Sequence, residues 1–225
     1  MDWQKIKSII GKTWNFLWND NSWQSWVVSI IVAFIFIKFI FLPGTGLVFG
    51  TKLPIVAVVS GSMEHGMIKD DYLGIPNMCG KTYSKEQFFL NFDTYWTECG
   101  DWYEEKGITK ETFSKYSFKN GFNKGDIMFL HGIKPEKIEI GDTIVFQSRQ
   151  RAEPIIHRVV KKTYTDGKYV FETKGDHNGM SGPVDLNISE EQIYGKAYLR
   201  LPLLGYVKVF AAEIYYKITG KQIPI

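Results

Sequence analysis

The feature that most constrains this chain is the run Trp26 to Leu42, "WVVSIIVAFIFIKFIFL", which is apolar except for Ser29 and Lys38. Extended by Ser22 to Gln24 before it and by Pro43 to Leu47 after it, the run meets the roughly 20 residues that a bilayer crossing requires. It reads as one transmembrane helix over 23–43. Lys38 falls near its outer end, where a long side chain can carry its charge to the headgroups. Lys5, Lys7 and Lys12 precede the span, against Asp2 and Asp20. Positive residues beside a first span favour the cytoplasmic side, so the expectation is a single-pass protein of the cell membrane with a cytoplasmic N-terminus and all later residues extracytoplasmic. The apolar run starts far into the chain and no small-x-small site follows it, which does not fit a cleavable signal peptide. Residues 1–22 set Trp3, Ile6, Ile9, Ile10, Trp14, Phe16 and Leu17 among lysines, the pattern of an amphipathic helix lying at an interface.

Past the membrane the period changes. "LPIVAVVS" (53–60), "DIMFL" (126–130), "DTIVFQS" (142–148), "IIHRVVKKTY" (155–164), "KYVFETKGD" (168–176) and "YGKAYLRLPL" (194–203) are short β-branched or aromatic runs bounded by Gly, Asp, Asn or Pro. Residues 44–206 therefore read as one mainly β extracytoplasmic domain. Within it, 68–123 differs, with aromatics near helical spacing and both cysteines, and is expected to be a partly helical inserted subdomain. Cys79 and Cys99 lie outside the membrane, where a disulfide is permitted; in a reducing setting the same pair stays as thiols. Residues 207–225 place Val207, Phe210, Ala211, Ile214, Tyr215 and Ile218 at helical spacing among lysines, a C-terminal amphipathic segment whose charges exclude a second span. A chain that is 44% hydrophobic can fill a core without help, and a net charge of +3 with interleaved signs leaves no basic stripe for nucleic acid.

"VVSGSMEHGM" (58–67) sets two serines around a glycine at the end of an apolar run. A serine hydroxyl becomes a useful nucleophile only when a base takes its proton and donors receive the oxyanion. His157, inside an alternating run, is a candidate base. Asp176 in "TKGDHNG" and Asp185 in "GPVDL" lie in Gly-rich turns, and each is a candidate to orient that imidazole. Taken singly, these residues also fit plain roles: a strand-ending turn for Ser60 and Ser62, a half-buried strand histidine, Asx turns for the aspartates. A zinc site from His157, His177 and an aspartate lacks any HxxxH or CxxC spacing, so no metal and no cofactor is expected.

Taken in order, "SGSME" after an apolar strand, "GDTIVF", "IIHRVV" and "TKGDHN" with a later Asp, all behind an N-terminal membrane helix, resemble type I signal peptidases of the archaeal and endoplasmic-reticulum kind. The resemblance covers 24–66 and about 124–206. It implies a signal-peptidase-type β catalytic domain in which Ser62 is the nucleophile and Ser60 helps the oxyanion hole. The bacterial branch carries a lysine base where this chain has His157, which places it with the Ser-His branch. Two departures stand out: His65 replaces the proline usual after "SGSME", and about 50 residues expand the gap to the next motif. Of the two aspartates, Asp176 maps plainly, while the resemblance favours the more distant Asp185 as the third catalytic residue.

The activity this implies is a membrane-bound serine endopeptidase that removes signal peptides after small residues. Its expected partners are signal-peptide-bearing precursors, membrane lipid and the translocation machinery. Shallow pockets for small side chains at positions −1 and −3 would be walled by "PIVAVV" and the "GDTIVF" strand. The alternatives are a same-fold processing protease for envelope or pilin-like precursors, and an inactive relative acting as a scaffold or binding subunit. All four motifs lie outside 68–123, so that segment is either an accessory module or a part that completes the active site.

Overall fold

The computed structural model describes residues 3–69 and 74–202, so the expected amphipathic segment at 207–225 lies outside the described residues. The chain divides into two compact units, Met1–Val48 and Phe49–Ile225.

In the first unit, helix α1 (Trp3–Asn19) and helix α2 (Trp23–Phe36) form a hairpin. Ser22 caps α2 by accepting the Ser25 amide, and the Ser22 amide in turn donates to Asp20 at 2.8 Å. The last carbonyls of a helix have no partner within it. Here the Ser25 hydroxyl donates to the Phe16 carbonyl and the Ser29 hydroxyl to that of Leu17, so the lone serine inside the apolar run closes the end of α1. Beyond Phe36 a π-helical turn, Ile37–Phe41, leads into helix α3 (Leu42–Phe49). The continuous apolar helix, Trp23–Phe49, is 27 residues long and is, among the described residues, the one long and apolar enough to cross a membrane. It runs past the end expected at residue 43. Proline lacks the amide and its ring presses on the carbonyl four residues back, and the wider π turn immediately before Pro43 accommodates both defects without ending the helix.

The second unit is mainly β. Strands β1 (Ile55–Ala57), β5 (Ile127–His131), β6 (Thr143–Phe146), β7 (Ile155–Thr165), β8 (Lys168–Lys174), β9 (Ile188–Ser189) and β10 (Ile193–Leu201) form an antiparallel sheet in the order β1-β5-β10-β6-β7-β8-β9. The inserted segment adds a small sheet of β2 (Ile68–Lys69), β3 (Pro76–Met78) and β4 (Lys81–Thr82), then helices α4 (Phe92–Glu105) and α5 (Lys110–Ser114). Asn91 caps α4 and Thr109 caps α5, each side chain accepting the amide three residues on. Tyr95, Trp96, Cys99 and Tyr103 of α4, with Met78 and Phe113, form a cluster that closes on Val160 of β7. Cys79 and Cys99 are joined by a disulfide between the β3–β4 turn and α4.

This seating explains the burial of β7. A half-exposed strand alternates, yet Ile155 to Val160 has no exposed position. Ile155 and Val159 enter the core shared with Ile144, Phe146 and Phe171, whereas Ile156 packs on the cluster of Met63 and Val145, and Val160 on the inserted segment. Successive side chains of a strand point to opposite faces. Both faces of β7 are thus covered, and the neighbouring residues His157 and Arg158 are directed into two different interiors.

Candidate active site

β7 pairs with β6 in the register Ile144↔His157 and Thr143↔Arg158, which fixes the imidazole between the two turns that flank it. Ser62 lies in the turn after β1 and is half-buried; its Oγ stands 3.0 Å from His157 Nε2. On the other side of the ring, Nδ1 lies 2.5 Å from Asp185 Oδ1. Asp185 closes a short 3-10 turn, Pro183–Asp185, and is 1% exposed. Thr173 Oγ donates to the same Oδ1 at 2.7 Å, and the Gly182 amide donates to Oδ2 at 3.0 Å. Burial opposes the Asp185 charge, but the hydrogen bond and charge of His157, then Thr173 and the Gly182 amide, outweigh it and hold the carboxyl below its ordinary range. An ionised Asp185 accepts from Nδ1–H, which leaves the Nε2 lone pair facing the serine hydroxyl. Ser60 Oγ stands 3.2 Å from Ser62 Oγ on the open side of the turn.

Close approach makes one glycine necessary here. A Cβ on Gly175 would stand 2.7 Å from the Ser62 carbonyl oxygen and 2.9 Å from His157 Nε2, so any side chain at 175 would part the hydroxyl from the ring.

No known family profile matches this chain. It is 32% identical over 111 residues to the signal peptidase complex catalytic subunit SEC11 of Scheffersomyces stipitis, covering 45% of this chain and 64% of that protein. The corresponding subunit of Candida tropicalis is 30% identical over 111 residues, with the same coverage, and that of Yarrowia lipolytica 28% identical over 106 residues, 44% of this chain and 61% of that protein. The chain resembles signal peptidase catalytic subunits. It spans a little less than two thirds of the length of these relatives.

Asp176, the other candidate to orient the imidazole, does not meet His157. It is fully buried on the opposite side of β7, where Arg158 Nε donates to Oδ1 at 2.9 Å and Nη2 to Oδ2 at 2.7 Å. Tyr103 OH donates to Oδ1 and His65 Nε2 to Oδ2, each at 3.0 Å. Burial alone would raise this carboxyl, but the Arg158 charge and the hydrogen bonds of His65 and Arg158 hold it far below the usual range. The guanidinium is itself anchored by the carbonyls of Ser117, Phe118 and Gly141. Burial lowers the pKa of His65 against the pull of Asp176. Lys174, also fully buried, donates to the carbonyls of Gly175 and Asp176, and desolvation brings its pKa down to about 8.

His177, weighed as a metal ligand, points elsewhere: its ring is within 3.2 Å of the Glu64 carbonyl and of Asn77 Oδ1. Among the described residues no group of three or more His, Cys, Asp or Glu side chains is placed to hold a metal ion. Sequence reasoning missed Arg158, Tyr95, Tyr103 and Lys174. Arg158 carried one usable signal, a charged residue next to His157 in a strand too apolar to be half-solvated. The tyrosines carried none, since aromatics at helical spacing read as ordinary core.

Proposed function

We propose that this chain is a membrane-anchored serine endopeptidase that removes N-terminal signal peptides from secreted precursors, cutting after small residues. One observation carries the reading: Ser62 Oγ, His157 and Asp185 stand in a continuous hydrogen-bonded line of 3.0 Å and 2.5 Å. The named activity of the similar SEC11 subunits and the long apolar helix support it.

In the proposed mechanism Ser62 Oγ attacks the scissile carbonyl carbon while its proton passes to His157 Nε2, and Asp185 stabilises the imidazolium that forms. The carbonyl π electrons move to oxygen, where the Ser60 hydroxyl and the Ser62 backbone amide receive the negative charge. Collapse breaks the peptide bond, His157 returns the proton to the leaving amine, and the signal peptide stays as an ester on Ser62. Water, deprotonated by the same imidazole, then hydrolyses that ester. Only 12 residues of chain separate Phe49, the last of the apolar helix, from Ser62, a spacing suited to substrates whose cleavage site follows a membrane-embedded apolar segment.

The test is incubation of the detergent-solubilised protein with a precursor carrying an A-x-A site, followed by mapping of the new N-terminus. Cleavage directly after the second alanine, absent in Ser62→Ala, is the expected result. Cleavage that persists in Ser62→Ala would remove the mechanism, and an uncut precursor would remove the function.

A further inference from the structure

The inserted segment 68–123 touches the nucleophile more closely than an accessory module should. Beyond β1, three carbonyls of the stretch Ser62 to His65 are taken up by backbone amides from elsewhere in the chain. His177 N–H donates to Ser62 O at 2.9 Å, Phe122 N–H to Met63 O at 3.1 Å and Leu90 N–H to His65 O at 2.9 Å. Phe122 and Leu90 both belong to the inserted segment. So does Gly121, at φ +67°, where a Cβ would stand 2.4 Å from the Met63 carbonyl oxygen and 2.6 Å from the His65 ring. Immediately beyond, Met67 and Gln87 exchange a pair of backbone hydrogen bonds at 2.8 and 3.0 Å.

A second set of contacts reaches the same four residues from behind. Cys79 N–H donates to the carbonyl of His177, the residue whose own amide holds Ser62. The disulfide carries that turn to Cys99 on α4. One helical turn to either side of Cys99 lie Tyr95, whose hydroxyl donates to the Asp176 carbonyl at 2.9 Å, and Tyr103, whose hydroxyl donates to the Asp176 carboxylate at 3.0 Å. Residues four apart share a helix face, so all three point at the Asp176–His177 turn together. His65 closes the circuit: its ring stacks on Tyr95 with centroids 3.5 Å apart and bonds Asp176 through Nε2.

We infer that segment 68–123 is a working part of the active site, in which Tyr103, with Tyr95 and the Cys79–Cys99 bond, positions the Asp176–His177 turn and through it the backbone of Ser62. This rests on the peptidase reading above and extends it: Tyr103 is a positioning residue, and the inserted segment holds the nucleophile in line with His157. The His157 ring is fixed independently by β6 and Asp185, so loosening the clamp displaces the serine and leaves the base in place.

The experiment compares Tyr103→Phe and Tyr95→Phe with Tyr83→Phe in the full-length protein. Tyr83 lies in the same segment and packs on the same cluster, but its hydroxyl bonds Glu98 at 2.8 Å rather than Asp176. Two quantities are read: kcat and KM on the A-x-A precursor, and amide hydrogen exchange of residues 62–65 and 177. A buried hydrogen bond to a charged group is worth enough that Tyr103→Phe should lower kcat about tenfold with KM within about twofold, and speed exchange at His177 by about the same factor. Tyr95→Phe should follow in the same direction, and Tyr83→Phe should match the wild type in both. Wild-type kcat and exchange in Tyr103→Phe, or equal losses in Tyr83→Phe, would overturn the inference. If the wild-type protein cleaves no precursor, the peptidase reading fails, while the exchange comparison still decides whether Tyr103 holds the Ser62 turn.

Discussion

The two histidine–aspartate pairs on either side of β7 are alike in chemistry and different in surroundings. His157 and Asp185 form one, His65 and Asp176 the other, and all four side chains are buried. His157 has a serine hydroxyl on its second nitrogen, whereas Nδ1 of His65 is buried and has no hydrogen-bond partner among the described residues. Asp185 is bonded by neutral donors, a threonine hydroxyl and a backbone amide, besides its histidine. Asp176 faces a guanidinium in two hydrogen bonds. That difference matters because a carboxylate already neutralised by Arg158 has little field left to stabilise an imidazolium, while Asp185 keeps its charge for the ring that must accept a proton. What suits one pair to the proposed chemistry is what lies beyond the pair.

The sharpest way to break this contrast is at the hydroxyl. Ser62→Ala should lower turnover by a factor on the order of 10⁶, with the thermal midpoint within a degree or two, because the side chain is half-buried and small. A variant that retained wild-type turnover would make the two pairs equivalent. Next comes the carboxylate: Asp185→Asn should reduce turnover by about 10⁴ with KM nearly unchanged, since an amide holds the wrong tautomer and leaves the imidazolium uncompensated. Should Asp176→Asn be the catalytically dead and fully stable variant instead, the roles of the pairs must be exchanged. The expected effect of Asp176→Asn is mainly on folding, about 3–5 kcal/mol lost in denaturant titration as Arg158 is left buried without its counter-charge, beside a rate loss near tenfold. Ser60→Ala, which removes one oxyanion donor, should cost turnover about 10²–10³ and no measurable stability.

The smallest effect is one of pH. Both aspartates are held below their ordinary values in the fold. Each therefore contributes stability that is complete above the unfolded-state pKa, near 3.9, and is lost as pH falls through the lower folded value. Acid titration of the thermal midpoint should show a loss below about pH 4 that is shallower in Asp185→Asn than in the wild type. Parallel curves for the two proteins would mean that Asp185 is not held as a charge in the fold.

The parts of the molecule legible in the sequence share a property: their signals are local. The six strand-like runs lie within a few residues of β1, β5, β6, β7, β8 and β10, because β-branched residues and the Gly, Asp and Pro bounding them act over neighbouring positions. Ser62, His157 and Asp185 were nameable because each sits in such a run or its closing turn. The Asp176 cluster was opaque for the opposite reason. It assembles Arg158 from β7, Tyr95 and Tyr103 from α4, His65 from the turn after β1 and Lys174 from β8, so its contacts come from four separate parts of the chain. Its traces were two oddities: His65 in place of the usual proline, and a charged Arg158 in an otherwise apolar strand. The π turn before Pro43 was likewise invisible, since it is a response of the backbone to one ring rather than a pattern of side chains.

The adjacency of His157 and Arg158 on one strand has a consequence for how the chain finds its native state. Shifting β7 by a single residue against β6 would turn every side chain to the other face. The imidazole would then enter the compartment built for the guanidinium, and the guanidinium would be driven, without Asp176, into the apolar core around Phe171. Such a slipped conformer carries a stranded buried charge and is therefore poorly populated. The same alternation that turns His157 toward Ser62 thus rejects misregistered chains during folding, so that molecules which reach a stable sheet do so with the imidazole already facing the hydroxyl.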